Sequence, residues 1–169
     1  GIFWPEAMCL IGNGVVVDPD ALLEEVTGLE QRGVDITDRL MISERAHLVM
    51  PYHVVLDELA EEARGSQAIG TTGKGIGPAY TDKAARTGIR AADLADVEAL
   101  LPRLEGVVAY ANALITKVYG GPALSLEDVF DKCRTWSEHM GPFIGPVEHV
   151  VHDAVSAGKV VLLEGAQGA

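Results

Sequence analysis

Four glycines fall within eight residues, at Gly70, Gly73, Gly75 and Gly77, and Pro78 follows at once. Glycine loses more conformational freedom on ordering than any other residue, so such a stretch does not sit inside a helix or a strand. It reads as a loop. Proline sets φ near the helical value and lacks an N–H that a first helical turn leaves unbonded anyway. The loop therefore feeds directly into a helix, predicted over about 79–86. Everything else in the 169-residue chain has to be arranged around this loop–helix junction near its middle.

The junction concentrates one kind of chemistry. Its glycines let backbone N–H groups approach a ligand without Cβ interference, and Thr71 and Thr72 add hydroxyls. The helix N-terminus brings free N–H groups and the positive end of a dipole. Lys83 and Arg86, three apart, share a face of that helix. Backbone donors, hydroxyls, dipole and cations all suit a phosphate monoester. Charge supports this. The chain has 13 basic and 25 acidic side chains, for a net −12. The stretch 64–90 holds Arg64, Lys74, Lys83, Arg86 and Arg90 against Asp82 alone. A local basic patch on an acidic chain fits a small anion better than a nucleic-acid backbone. The segment from Ala68 to Lys74 imitates a Walker A loop, but the next residue is Gly75 rather than a magnesium-binding Ser or Thr, so that assignment is rejected.

Around the junction the pattern is mixed α/β, divided as a strand region over 1–17, a helical region over 18–65, the phosphate-binding loop and helix over 66–90, a helical subdomain over 91–157, and a strand with a glycine turn over 158–169. Cys9 to Val17 is an apolar run broken by Gly12-Asn13-Gly14, either a short hairpin or one kinked strand. Asp18 and Pro19 are an N-cap and a first helical residue, and Gly33 stops that helix. Val34 to Ile42 is extended. Ser43 is predicted to cap a second helix running to about Ala63, kinked or split at Pro51. Further helices are predicted over about 94–118, 126–140 and 147–157, and Val160–Glu164 as a buried strand. A helical insertion between strands of a larger parallel sheet accounts for this order.

Other features exclude more than they suggest. No apolar run approaches the ~18 residues of a membrane span, and no secretory signal is seen. Cys9 and Cys133 have no metal-ligand or redox spacing. His149 and His152 lie at i, i+3 without a third ligand, so no metal is assigned. Glu24-Glu25 and Glu61-Glu62 read as solvated helix faces. Trp4 and Trp136 read as core or interface anchors. A second candidate site is Glu164-Gly165-Ala166-Gln167-Gly168, where a strand runs into a glycine turn and Gln167 offers both donor and acceptor.

The segment Gly70–Arg90, GTTGKGIGPAYTDKAARTGIR, resembles the central motif of the adenylosuccinate synthetase family. IGNGVVVDP, ISERAHLVMPYH and VLLEGAQGA match the same family in the same order. The resemblance implies an α/β fold, part of a large mainly parallel sheet of P-loop NTPase-like type, with a mostly helical subdomain between strands. It implies a cytoplasmic, homodimeric ligase of purine biosynthesis that joins IMP to L-aspartate using GTP and Mg²⁺. Thr72, with Thr71, would hold the IMP 5′-phosphate. Arg86 would reach IMP in the partner subunit, Gln167 would contact IMP, and Lys83 falls on the active-site lysine. The family's phosphate loop with its catalytic Asp and Lys, its catalytic His, and its aspartate and guanine motifs have no counterpart here. Both ends look cut, which suggests an internal piece carrying part of the IMP site, inactive alone, with the principal GTP and Mg²⁺ residues elsewhere. Alternative readings are a non-catalytic nucleotide- or phosphate-binding module and a helical scaffold.

Overall fold

In the computed structural model, which describes residues 1–165, the chain is α/β with parallel sheets. β1 (Cys9–Ile11) and β2 (Val16–Val17) precede α1 (Pro19–Gln31). β3 (Leu40–Ser43) and β4 (His47–Leu48) follow it. β1 pairs in parallel with β3, and β2 with β4. The register offset is 31 residues in both ladders, from Cys9 to Leu40 and from Val16 to His47. The two ladders are thus one pair of parallel paths, joined by α1 and interrupted at Gly12–Val15 and Glu44–Ala46. No hairpin forms between β1 and β2, because each strand finds its partner across α1. The kinked-strand alternative is the nearer one.

α1 begins as expected, with Asp18 Oδ1 accepting the Ala21 N–H at 3.1 Å and Pro19 in the first turn. Gly33, at φ +76°, follows its end. The second helix departs from expectation. Residues 40–48 hold the strands β3 and β4, and α2 (Pro51–Arg64) starts seven residues later than predicted. Pro51 therefore opens the helix instead of kinking it, where its missing N–H costs nothing. Ser43 is not a cap. Its buried hydroxyl donates to Glu148 Oε1 at 2.6 Å and accepts the Arg45 N–H.

After a 3-10 turn at Gly65–Gln67 and the glycine loop comes α3 (Ile76–Ala85). A second 3-10 stretch, Ala91–Asp96, leads into α4 (Val97–Lys117). Its buried residues Leu100, Leu104, Val108, Ala111 and Ile115 form a stripe at three- and four-residue spacing. The stripe packs on α5 (Leu126–Met140), which buries Val129, Phe130, Cys133, Trp136 and Met140. Each such large side chain contributes roughly 1.5–3 kcal/mol on burial. β5 (Ile144–Gly145) adds a third parallel strand beside β3, and α6 (Val147–Ser156) follows.

Val160–Glu164, expected as a buried strand, is neither. It joins no ladder among the described residues, and Val160, Leu162 and Leu163 are almost fully exposed. An apolar run becomes a buried strand only where a neighbour accepts its backbone hydrogen bonds and covers its side chains. Gln167 lies outside the described residues, so the second candidate site is not described.

Candidate functional site

The glycine loop is held by one stripe of α2. His53, Asp57 and Glu61 recur every four residues, so they project from one face of that helix. Each grips a different part of the loop–helix junction. His53 is buried, and its Nδ1 accepts the Met50 N–H at 2.9 Å. Its proton therefore sits on Nε2, which donates to Asp82 Oδ2 at 2.9 Å, near the end of α3. Asp57, also buried, accepts the Gly75 N–H at 3.0 Å. Glu61 Oε1 accepts the Gly70 N–H and, at 3.3 Å, the Thr71 N–H.

Gly75 is where loop and helix come closest. Its φ is +72°, and a Cβ there would lie 2.7 Å from Val54 N and 2.8 Å from the His53 carbonyl carbon. Only glycine fits, on both counts. Past Gly75 the first turn of α3 leaves the N–H groups of Ile76 and Gly77 without partners among the described residues, as do those of Thr72, Gly73 and Lys74. Thr71 and Thr72 are exposed on the same loop. This is the chemistry expected of an anion cradle: unbonded amides and hydroxyls at a helix N-terminus.

The two cations do not join it. Lys83 lies seven residues along α3 from Ile76, about 10 Å of helix rise. Its Nζ donates to the carbonyls of Asn13 at 2.6 Å and Gly14 at 3.0 Å, and the Tyr80 hydroxyl also donates to Gly14. Burial, and then the Arg90 charge, lower the affinity of Lys83 for its proton. Arg86 caps α3 with φ +65°, is exposed, and makes no side-chain hydrogen bond or ion pair among the described residues. The expected convergence of Lys83 and Arg86 on residues 70–77 is thus absent within one copy of the chain. Their i, i+3 spacing put them on one helix face but at the wrong end of the helix.

Asp82 ties this end together. Its Oδ1 accepts the Thr87 hydroxyl at 3.2 Å, and its backbone carbonyl accepts the N–H groups of Thr87 and Gly88. Burial alone would raise its carboxyl, but the hydrogen bonds from His53 and then Thr87 bring it below the ordinary aspartate value. Beside it, His47 is buried close to Lys83, Arg90 and Arg103. Burial first, and then these charges, lower its affinity for a proton.

Two elements of this site were not picked out from the sequence. Gly12-Asn13-Gly14 was read only as a strand break, although an Asn between glycines also marks an exposed loop. The stripe His53, Asp57, Glu61 was legible as polar residues at helical spacing, yet Glu61 was assigned to a solvated face. Among the described residues, no three His, Cys, Asp or Glu side chains cluster as a metal site, and the His149 and His152 pair is exposed.

A family model described as adenylosuccinate synthetase matches residues 1–169. The chain belongs to the adenylosuccinate synthetase family. Curated relatives with that name include one from Dehalococcoides mccartyi, 47% identical over all of this chain. Others come from Clostridium botulinum and Geobacillus kaustophilus, each 48% identical over 99% of it. The chain spans about 40% of the length of these relatives. Among solved structures it resembles a fully ligated adenylosuccinate synthetase from Plasmodium falciparum. That likeness has a TM-score of 0.80 and 25% identity, and covers 94% of this chain and 36% of the other. The α/β architecture with parallel strands is therefore that of the adenylosuccinate synthetases, a family of ligase-type enzymes.

Proposed function

We propose that this chain forms part of the IMP site of a GTP-dependent adenylosuccinate synthetase, and that residues 70–77 hold the 5′-phosphate of IMP. In the reaction, the γ-phosphoryl group of GTP passes to O6 of IMP. The amino group of L-aspartate then attacks C6, and phosphate leaves with the C6–O6 bonding pair. The products are adenylosuccinate, GDP and phosphate. The observation that carries this reading is the set of amides at Thr72, Gly73, Lys74, Ile76 and Gly77 without partners among the described residues, on either side of the Gly75 amide that Asp57 holds and next to a motif, Gly75–Arg86, that lies inside the family match.

In this reading Thr71 and Thr72 offer their hydroxyls to the phosphate oxygens, and Gly70, Gly73, Gly75 and Gly77 keep the backbone close. Lys83 is the active-site lysine, presented beside the Asn13–Gly14 turn. Arg86, exposed at the far end of α3 and without a side-chain hydrogen bond or ion pair among the described residues, serves the IMP of a partner subunit in a homodimer. Gln167 contacts IMP from the end of the chain. Mg²⁺ accompanies GTP in the complete reaction. The described residues do not gather a ligand set for it, so no step is assigned to a metal here. Among the described residues, no helix is long and apolar enough to cross a membrane. That is compatible with the cytoplasmic setting expected of a nucleotide-synthesising enzyme. Alone, the chain is expected to bind IMP without converting it.

Calorimetry tests this. IMP should bind and inosine, which lacks the phosphate, should bind far more weakly. Arg86→Ala should cost about 1.5–3 kcal/mol, as for a charged hydrogen bond, and only at concentrations where the chain dimerises. Equal binding of IMP and inosine would refute the phosphate assignment.

A further inference from the structure

Glu61 already occupies part of the cradle. Its Oε1 takes the N–H groups of two consecutive residues, Gly70 and Thr71, while Oε2 accepts Arg64 Nη1 at 2.9 Å. Successive backbone amides converging on one oxygen form an anion nest. Here the anion is the protein's own carboxylate, and the nest opens the stretch of loop assigned above to a phosphate. A phosphate oxygen cannot use these two amides while the carboxylate holds them, and two anions at one pair of donors repel each other.

We propose that Glu61 is an internal competitor for the phosphate. In the ligand-free chain it latches residues 70 and 71 onto α2, and a phosphate monoester has to displace it. This rests on the phosphate reading of the loop. Gly65 at φ +51° and Gly73 at φ +64° flank the segment that must swing, and both adopt conformations open mainly to glycine. The Gly70 amide is the main cause that brings the Glu61 carboxyl below its ordinary value, so the carboxylate that competes is the charged form. The latch also differs from its neighbours on the stripe. His53 and Asp57 are buried, whereas the Glu61 side chain is in part open to solvent.

A closed population weakens apparent affinity by the fraction of time that the loop is open. Removing the latch should therefore tighten binding. The test compares wild type, Glu61→Gln and Glu58→Gln by titration with IMP and with inorganic phosphate, and follows amide exchange at Gly70 and Thr71. Glu58 is an exposed carboxylate whose Cγ lies 3.7 Å from a Cβ built on Gly73, and it makes no hydrogen bond to the loop among the described residues. It controls for simple loss of negative charge. The expected result is roughly three- to tenfold tighter binding for Glu61→Gln, little change for Glu58→Gln, and faster exchange at both amides in Glu61→Gln. Equal or weaker binding by Glu61→Gln would overturn the latch and leave the phosphate site standing. So would an equal gain from Glu58→Gln. If no form binds either probe, the phosphate reading fails and the competitor goes with it.

Discussion

Gly75 and Gly77 lie two residues apart in one motif, yet substituting alanine at each should have opposite effects. At Gly75 two costs add. An L-residue at φ +72° is strained by about 1–2 kcal/mol. A methyl placed 2.7 Å from Val54 N meets backbone that is itself inside α2, so α3 must shift, at a further cost of about 1–3 kcal/mol. The expected loss for Gly75→Ala is therefore about 2–5 kcal/mol. At Gly77 a Cβ meets nothing within 4 Å, φ is not positive, and the residue lies within α3. Alanine there should be neutral or stabilise by up to about 1 kcal/mol. Gly73 is the intermediate case, at φ +64° with only the flexible Glu58 Cγ nearby at 3.7 Å, so Gly73→Ala should show the conformational strain alone. Urea denaturation followed by circular dichroism measures all three. With slopes of about 1–3 kcal/mol per molar, Gly75→Ala should lower the midpoint by about 1 M or more. If Gly75→Ala matches wild type, or if Gly77→Ala is as damaging, α2 and α3 do not meet where the structure places them.

Asp82→Ala removes the acceptor of a buried His53 N–H and should destabilise by about 1–3 kcal/mol. The Asp82 carboxyl is held below its ordinary value of 3.8, so its contribution is present above that pH and fades as pH falls through the folded value. The gap between wild type and Asp82→Ala, read from denaturation midpoints, should therefore narrow in acid below 3.8; a gap that widens there would contradict the pairing. Burial pushes the Cys133 thiol up to about 12, while Cys9 is only half-buried. A thiol reagent should therefore label Cys9 first, with Cys133 labelled only as the chain unfolds, and mass spectrometry of the labelled peptides distinguishes the two orders.

Local chemistry was legible in this sequence, and pairing at a distance was not. α1 follows from an Asp-Pro start and a glycine stop, and α5 from its apolar spacing, with Ser125 Oγ accepting the Asp128 N–H at its start, because everything that decides them lies within a few residues. The same reasoning failed at Ser43. That residue has the side chain of a cap, but β3 pairs on both edges, with β1 and β5, and this outweighs a single capping bond. β5 is two residues long, and its neighbour is more than a hundred positions away, so no local signal marks it. Val160–Leu163 shows the reverse case, since its composition is that of a strand and no described strand pairs with it. In the site, glycine placement marks the loop whose amides at 72–74, 76 and 77 find no partner among the described residues. Helical spacing placed Lys83 and Arg86 on one face, but facing is not reach, and seven residues of α3 separate Lys83 from the loop.

The four-residue stripe on α2 suggests why the loop can be both fixed and movable. His53 and Asp57 are buried and each makes a bond whose loss strands a buried group, the His53 Nε2–H in one case and the Gly75 amide and Asp57 carboxylate in the other, so releasing either leaves a costly orphan. They hold α3 rigidly against α2, and with it the free amides at its N-terminus. Glu61 stands one turn further on, where the released carboxylate and the released amides would all meet water. That exchange leaves nothing unsatisfied, so its free-energy difference is small. A loop held this way has a fixed end at Gly75 and a yielding end at Gly70, and a phosphate arriving at residues 70–77 competes with protein groups only at the yielding end. The stripe therefore separates two jobs along one helix: pre-forming the donors, and admitting the anion we propose for them.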